Sequence, residues 1–333
     1  MVLSQANLNT ITVNIAMVMV TVMVMDMVTA MAKVIVTLAM RIKKLNEKMD
    51  TINNEKWDQI IGGKNKVSLG LKDTFKYRDL LFLFVKRDLS TIYKQTILGP
   101  FWLVLQPLLT SLVFMVIFGN LMGITTDGYP KFLFYFSGLL FWSLFAEIFQ
   151  KSADTFITNS DLFSKVFFPR LVMPFSIVFT SLIKFSFSFI IFSIIWLVYF
   201  INGEIKIESF LPMILFLPII LFFTMLLGMA LGLIFSTLTT KYRDFRFLLQ
   251  FGIQLLMYFS PVIFPLNLAE GKLRTIIELN PMSGLIECSR SIFLNGSFPN
   301  INVLLISICS AIAFWFAGLL LFSRVQKSFI DTI

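Results

Sequence analysis

The sequence predicts an all-α integral membrane protein. Six transmembrane helices follow an amphipathic interface helix, and two short re-entrant helices precede the last span. Three observations carry that prediction. Hydrophobic residues make up 57% of the 333 and charged residues only 14%, where a soluble domain carries about a quarter charged. Six apolar stretches, roughly 101–122, 132–151, 172–201, 210–237, 247–264 and 303–323, approach the ~20 residues that a bilayer core demands. Basic residues concentrate in alternate links between those stretches, which places those links on the cytoplasmic side.

Taken in order, residues 1–48 form an atypical extension. Ile11 to Met40 is long enough to span, but Asp26 and Lys33 interrupt it, and Val18 to Met25 alternates Val, Met and Thr. Three readings stand: an extra helix, a poorly ordered tail, or an upstream region that the cell does not translate. Met49 is favoured as the natural start, because ordinary polar composition begins there and a seventh span would force the N-terminus outside. Residues 49–98 then make a cytoplasmic N-terminal segment. Within it, Phe82, Val85, Leu89 and Ile92 recur at three and four, opposite Asp79, Lys86, Ser90 and Lys94. That pattern predicts an amphipathic helix over 75–98 lying in the membrane interface. Gly99-Pro100 turns the chain into the six-span domain, 99–324, which a cytoplasmic tail, 325–333, follows.

The links set the topology. Lys151, Lys165 and Arg170 lie in the second link, Lys241, Arg243 and Arg246 in the fourth, and Arg324 and Lys327 in the tail. The first link, Gly123 to Pro130, has no Lys or Arg, and the third has only Lys206. Both ends of the six-span unit are therefore expected in the cytoplasm. The fifth link, 265–302, holds Lys272, Arg274 and Arg290 yet falls outside. Asn280-Pro281 divides it into two short helical pieces, about 268–279 and 282–294. Neither is long enough to span, so both must be covered by protein or line a wet cavity, unless the link is a loose outer loop.

Composition excludes several chemistries. His is absent and the only Cys are Cys288 and Cys309, so no zinc or haem site and no His-based acid–base catalysis can be assembled. Gly62-Gly63-Lys64-Asn65 lacks the spacing and hydroxyl of a phosphate-cradling loop, so this chain is not expected to bind ATP. Asp154, Asp161 and Asp244 are scattered on basic links, which argues against a membrane glycosyltransferase. The net charge of +9 suits basic loops beside anionic lipid headgroups, not nucleic acid. Inside the spans, Lys184 lies about a dozen residues into the third and should be paired or wet. Glu147 sits near the inner end of the second. Gln106, Gln250 and Gln254 add further polar groups. Gly228 and Gly232 form a small-xxx-small step suited to close helix packing. Glu287 and Arg290, three apart, are expected to pair on one helical face.

The most informative stretch is Phe163-Ser-Lys-Val-Phe-Phe-Pro-Arg-Leu-Val-Met173, between two apolar runs. Pro169 marks an elbow where a loop helix turns into a span, and Lys165 and Arg170 fix its side. With Trp57-Asp58, Tyr77-Arg78-Asp79-Leu80 and Tyr93-Lys-Gln-Thr-Ile-Leu-Gly-Pro-Phe-Trp102, it resembles the permease subunit of polysaccharide-exporting ABC transporters of the type-2 group. Leu238-Thr-Thr-Lys-Tyr-Arg-Asp244, Asn280-Pro-Met282 with Glu287 and Arg290, and Lys327-Ser-Phe-Ile-Asp331 extend the resemblance over about 50–333. Residues 1–48 have no counterpart in it.

The resemblance implies a homodimer of this chain in the bacterial inner membrane, moving a lipid-linked polysaccharide such as O-antigen. A separate ABC ATPase subunit would bind the ATP and magnesium. Asn159, Phe163, Lys165, Phe167, Phe168, Pro169 and Arg170 would couple to that ATPase. Arg78, Lys86, Arg87, Tyr93 and Lys94 belong to the interface helix that would move with it. Asn280, Pro281, Glu287 and Arg290 would form an exit gate. Ring faces suit a sugar polymer, so Phe114, Phe118, Phe141, Trp142, Tyr258 and Phe259 are candidate path residues, with Lys184 beside them. The alternatives are an ABC permease for a drug or lipid and a membrane enzyme such as a glycan polymerase. The latter would need catalytic residues gathered in a large external loop, and none are visible there.

Overall fold

A computed structural model describes residues 74–94 and 101–330, apart from 75, 167 and 243. The readings made on residues 1–73, Gly99-Pro100, Phe167, Arg243 and the last three residues lie outside the described residues. So do the side chains of Ile92, Tyr93 and Lys94 and those of 324–330.

Among the described residues all regular structure is helical. The chain opens with α1 (Arg78–Lys94), then α2 (Phe101–Phe114), which runs on as a π-helical stretch to Leu121. After a short link come α3 (Lys131–Ala153), the small helices α4 (Thr155–Thr158) and α5 (Ser160–Lys165), and the long helices α6 (Val172–Ile201) and α7 (Leu211–Lys241). The last part holds α8 (Phe245–Tyr258), α9 (Gly271–Leu279), α10 (Pro281–Arg290) and α11 (Ile301–Ile330).

Helix α3 is the hub. Of its most apolar window 78% is buried, against 6% for α2, and it packs on α7, α6, α10 and α2. Two glycines explain how closely α7 approaches it. A Cβ on Gly228 would stand 3.0 Å from the Phe145 carbonyl oxygen, and one on Gly232 would collide with the Ser152 side chain. The Gly-xxx-Gly step is thus a helix contact in which backbone meets backbone. Thr239 Oγ1 reinforces it, donating to the Ala153 carbonyl at 2.7 Å. Helix α11 lies along α7 and α10.

Among the described residues, five helices are long and apolar enough to cross a bilayer: Phe101–Leu121, Lys131–Ala153, Val172–Ile201, Leu211–Lys241 and Ile301–Ser323. The stretch expected to span at 247–264 instead gives the 14-residue α8, whose length of about 21 Å falls short of the ~30 Å hydrocarbon core. The cause is local: Ser260 precedes Pro261, and that position disfavours helical backbone. The freed end is tied down by Asn280, whose amide donates to the Phe259 carbonyl at 3.2 Å and to Ser260 Oγ at 2.8 Å.

Helix α1 buries a different face from the one its periodicity suggested. Leu81, Phe84 and Val85 are its buried residues, packed with Phe168, Val172 and Met173, while Phe82 and Leu89 stand at the margin. Its apolar face therefore meets protein at the start of α6. Asp79, Lys86 and Arg87 remain exposed. Helix α11 continues unbroken to Ile330, into the segment read as the tail.

Candidate functional site

Around the elbow between α5 and α6, five rings from five parts of the chain form a continuous chain of contacts. Phe322 of α11 stacks on Phe156 of α4 with centroids 5.1 Å apart, and Phe156 meets Phe163 of α5 at 5.5 Å. Phe163 stacks on Phe168 at 5.4 Å, and Phe168 meets Phe84 of α1 at 5.5 Å. Two cations ride on this chain. The Arg170 guanidinium lies 5.9 Å from the Phe156 ring centre and 5.8 Å from that of Phe163, and Arg87 lies 5.1 Å from Phe84. Burial pulls the Arg170 pKa below its usual value. Such contacts suit a rigid joint, because each ring adds area and geometry to both neighbours.

Asn159 closes the joint. It is buried, its amide donates to the Thr155 carbonyl at 3.0 Å, and its Oδ1 accepts from Arg87 at 3.4 Å. Nearby, Arg246 at the start of α8 donates to Asp154 Oδ2 at 3.1 Å, and Gln150 donates to the same oxygen. Asp154, set aside in the sequence as scattered, thus links the end of α3 to α8.

Phe168 is only 5% exposed, because α1 and α5 close over the ring. Among the described residues of 159–170, Asp161, Lys165 and Val166 are exposed, while Pro169 and Arg170 are half-buried. Phe84, Phe156 and Phe322 were missed; nothing in their sequence spacing ties them to the loop.

A second cluster lies deeper. Glu147 Oε1 accepts from two ammonium groups, Lys151 on its own helix and Lys184 on α6, each at 2.6 Å. The expectation that Lys184 is paired holds, and its partner is the other ionisable group singled out within the spans. Both line a cavity of about 450 Å³. Helix α2 contributes Gln106 and Thr110 to its wall, α3 contributes Trp142 and Ser143, and α6 contributes Ser181 and Ser188. That size falls in the range of small-ligand sites, roughly 300–1,000 Å³.

The short helix pair is present, at 271–279 and 281–290. Asn280 caps α10, its Oδ1 accepting from the Met282 amide at 3.1 Å. Pro281 occupies the first helical position, where no backbone donor is needed. The Asn-Pro step thus separates the two short helices and is fastened to Ser260. Ser283 and Leu285 are fully buried. Arg290 is also buried. It stands 3.7 Å over the Phe134 ring, donates to the Val262 carbonyl at 2.8 Å, and lies 3.7 Å from Glu287 Oε2.

The candidate path residues separate into three groups. Tyr258 and Phe259 are exposed, and Phe114 and Phe118 are half-buried, edge to face at 5.2 Å. Trp142 borders the cavity. Phe141 is enclosed, its ring against Phe185 and Phe293, so core packing, not an open path, holds it. Tyr129, on the link before α3, has its pKa raised by burial and by the nearby Asp127.

A family model described as ABC-2 type transporter matches residues 79–294, which run from α1 through the short helix pair. The chain belongs to this family: it is the multi-pass membrane part of a transporter and not an enzyme. A permease of an ABC exporter works with an ATPase partner. The chain is similar to the O-antigen export system permease protein RfbA of Klebsiella pneumoniae, 29% identical over 255 residues covering 77% of this chain and 95% of that one. It is similar to the protein of the same name from Myxococcus xanthus, 27% identical over 266 residues, 79% and 98% of the two chains. With the polysialic acid transport protein KpsM of Escherichia coli it shares 24% identity over 220 residues, 66% and 81% of the two.

Proposed function

We propose that this chain is the membrane subunit of an ABC exporter carrying a lipid-linked polysaccharide, O-antigen or a related surface glycan, across the bacterial inner membrane. The observation that carries this reading is the match over 95% of the length of a permease named for O-antigen export. The relatives named for polysaccharides favour it over drug or lipid export. Two copies form the path and two ATPase subunits dock below.

In this reading α8, completed by the turn at 259–264, is the fifth of six spans. Its exposed face carries Gln250, Gln254 and Tyr258, polar groups that fit a shared path better than lipid. Helix α1 is the interface helix and presents Arg78, Lys86 and Arg87. The elbow from Asn159 to Arg170, Phe163 and Phe167 included, is the coupling element. Lys165 and Val166 reach the ATPase, and the five-ring joint carries their displacement to α1 and α11. Asn280, Pro281, Glu287 and Arg290 hold the short helices at the exit. Phe114, Phe118, Trp142, Tyr258 and Phe259 face the sugar chain.

Co-purification with the ATPase subunit tests the reading. The isolated chain hydrolyses no ATP, and hydrolysis appears with the partner and rises with lipid-linked glycan. Robust hydrolysis by the chain alone would overturn it.

A further inference from the structure

The cavity between α2, α3 and α6 carries charge and donors that its own residues leave unspent. Two ammonium groups, Lys151 and Lys184, share the single carboxylate of Glu147. Two positive charges against one negative leave one in excess. The nearest other carboxylate on α1, Asp88, is itself held by Arg87 at 2.8 Å. An ammonium has three N–H donors, and Glu147 occupies one on each lysine.

A second observation concerns Ser181. It lines the same cavity and is only 1% exposed, yet its Oγ is buried with no hydrogen-bond partner. Several helix serines back-bond to a carbonyl, as Ser186 does to Leu182 at 2.9 Å; Ser181 shares its unpartnered state with Ser152 and Ser283, and of these three only Ser181 lines the cavity. A buried hydroxyl left this way costs stability unless something fills the site. The wall also offers Thr110, Gln106 and Ser143, while Trp142, Phe185 and Met257 supply apolar surface. The wall itself holds Lys184 and Glu147, and Lys151 stands outside it, so the pocket borders a cluster of net positive charge; with free donors and an apolar side it matches an anionic head on a hydrophobic tail.

We propose that this cavity is a binding site for the phosphate or diphosphate group of an amphiphile. Lys184 and Ser181 hold the anion, and Glu147 sets the affinity by competing for the lysines. The site is built from residues of one chain, on α2, α3 and α6. Two sources have this chemistry: the diphosphate linking the glycan to its lipid, and the phosphate of an anionic membrane lipid. The proposal rests on the exporter reading only for the first source.

The test uses the full chain with its ATPase in nanodiscs of neutral phosphatidylcholine. Cys309→Ala removes the exposed thiol, and Cys288 stays because it is buried. Ser143→Cys places a reporter on the cavity wall for an impermeant maleimide. One arm adds a long-chain prenyl diphosphate, and the other replaces part of the lipid with phosphatidylglycerol. Slowed labelling in the prenyl diphosphate arm alone assigns the site to the exported substrate; slowed labelling in the phosphatidylglycerol arm assigns it to a membrane lipid. In either case Lys184→Met weakens protection about tenfold or more, the size of one charged hydrogen bond. Glu147→Gln strengthens it, because two lysines are released. No protection in either arm, or protection unchanged by both substitutions, overturns the site. ATP hydrolysis in the same discs keeps this outcome separate from the exporter reading. Hydrolysis without protection removes the site alone, and failure to recover the ATPase removes the exporter reading.

Discussion

Phe163 and Phe168 lie face to face, their ring centres 5.4 Å apart and their planes 24° from parallel. One ring belongs to a loop helix, the other to the elbow that starts α6. Because Phe168 also meets Phe84 of α1 and Phe163 meets Phe156, this pair joins the consecutive elements α4, α5 and the elbow to α1, which is far away in sequence. A push on the loop cannot be absorbed locally; it must shift α1 or α6.

Phe168→Ala empties the centre of this joint. Truncating a buried Phe costs about 3–5 kcal/mol, so the variant should melt well below wild type in detergent and lose stimulation of the ATPase. Phe168→Leu should recover much of the stability. A wild-type melting temperature for Phe168→Ala would show that the ring is not packed as described.

Val166→Asp separates docking from folding. Val166 is exposed, so the change should stay within about 0.5 kcal/mol of wild-type stability. Coupled ATP hydrolysis should nevertheless fall, because a charge is buried against the partner. Stable protein with undiminished coupling would remove this residue from the docking surface.

Helix α1 shows what periodicity can and cannot decide. Leu80 to Val85 are six apolar residues in a row, and such a run contains several overlapping three-four stripes. Existence and type of the helix were legible; its rotation was set by Phe168, a tertiary contact. The spans were legible because length and composition alone define them. The helix in the fifth stretch is shorter than its apolar run, because Ser260-Pro261 ends it there. Lys184 was legible as paired, since burial of a charge demands it, and Glu147 was the other ionisable group noted within the spans. The cavity was not legible, because its wall comes from several helices whose convergence no local pattern encodes.

Glu147 and Lys184 should be energetically coupled. A double-mutant cycle with Glu147→Gln and Lys184→Gln, read by thermal unfolding, should return an interaction of about 0.5–3 kcal/mol. Additive single-variant effects would mean that the contact at 2.6 Å contributes nothing in solution.

Gly232→Ala should prevent normal packing of α7 on α3, since its new Cβ meets the Ser152 side chain. Overpacking of this kind costs about 1–3 kcal/mol. Gly252→Ala is the control, because nothing lies within 4 Å of its added Cβ. Equal melting temperatures for the two variants would contradict the close α3–α7 contact.

Asn280→Ala should loosen the latch between α8 and α10. Loss of the cap alone costs about 1 kcal/mol, and the bonds to Phe259 and Ser260 go with it. Pro281→Ala should be nearly silent, as the first helical position has no bond to lose. Hydrogen exchange of the 259–264 backbone reads the difference. The reverse order of effects would contradict the latch.

The most direct measurement is transport itself. Inside-out vesicles containing the chain and its ATPase are loaded externally with lipid-linked glycan, and the glycan protected from an external glycosidase is followed after ATP is added. The account predicts protection that requires ATP, this chain and the ATPase together, and that disappears in Phe168→Ala. Vesicles that hydrolyse ATP and protect no glycan would contradict it.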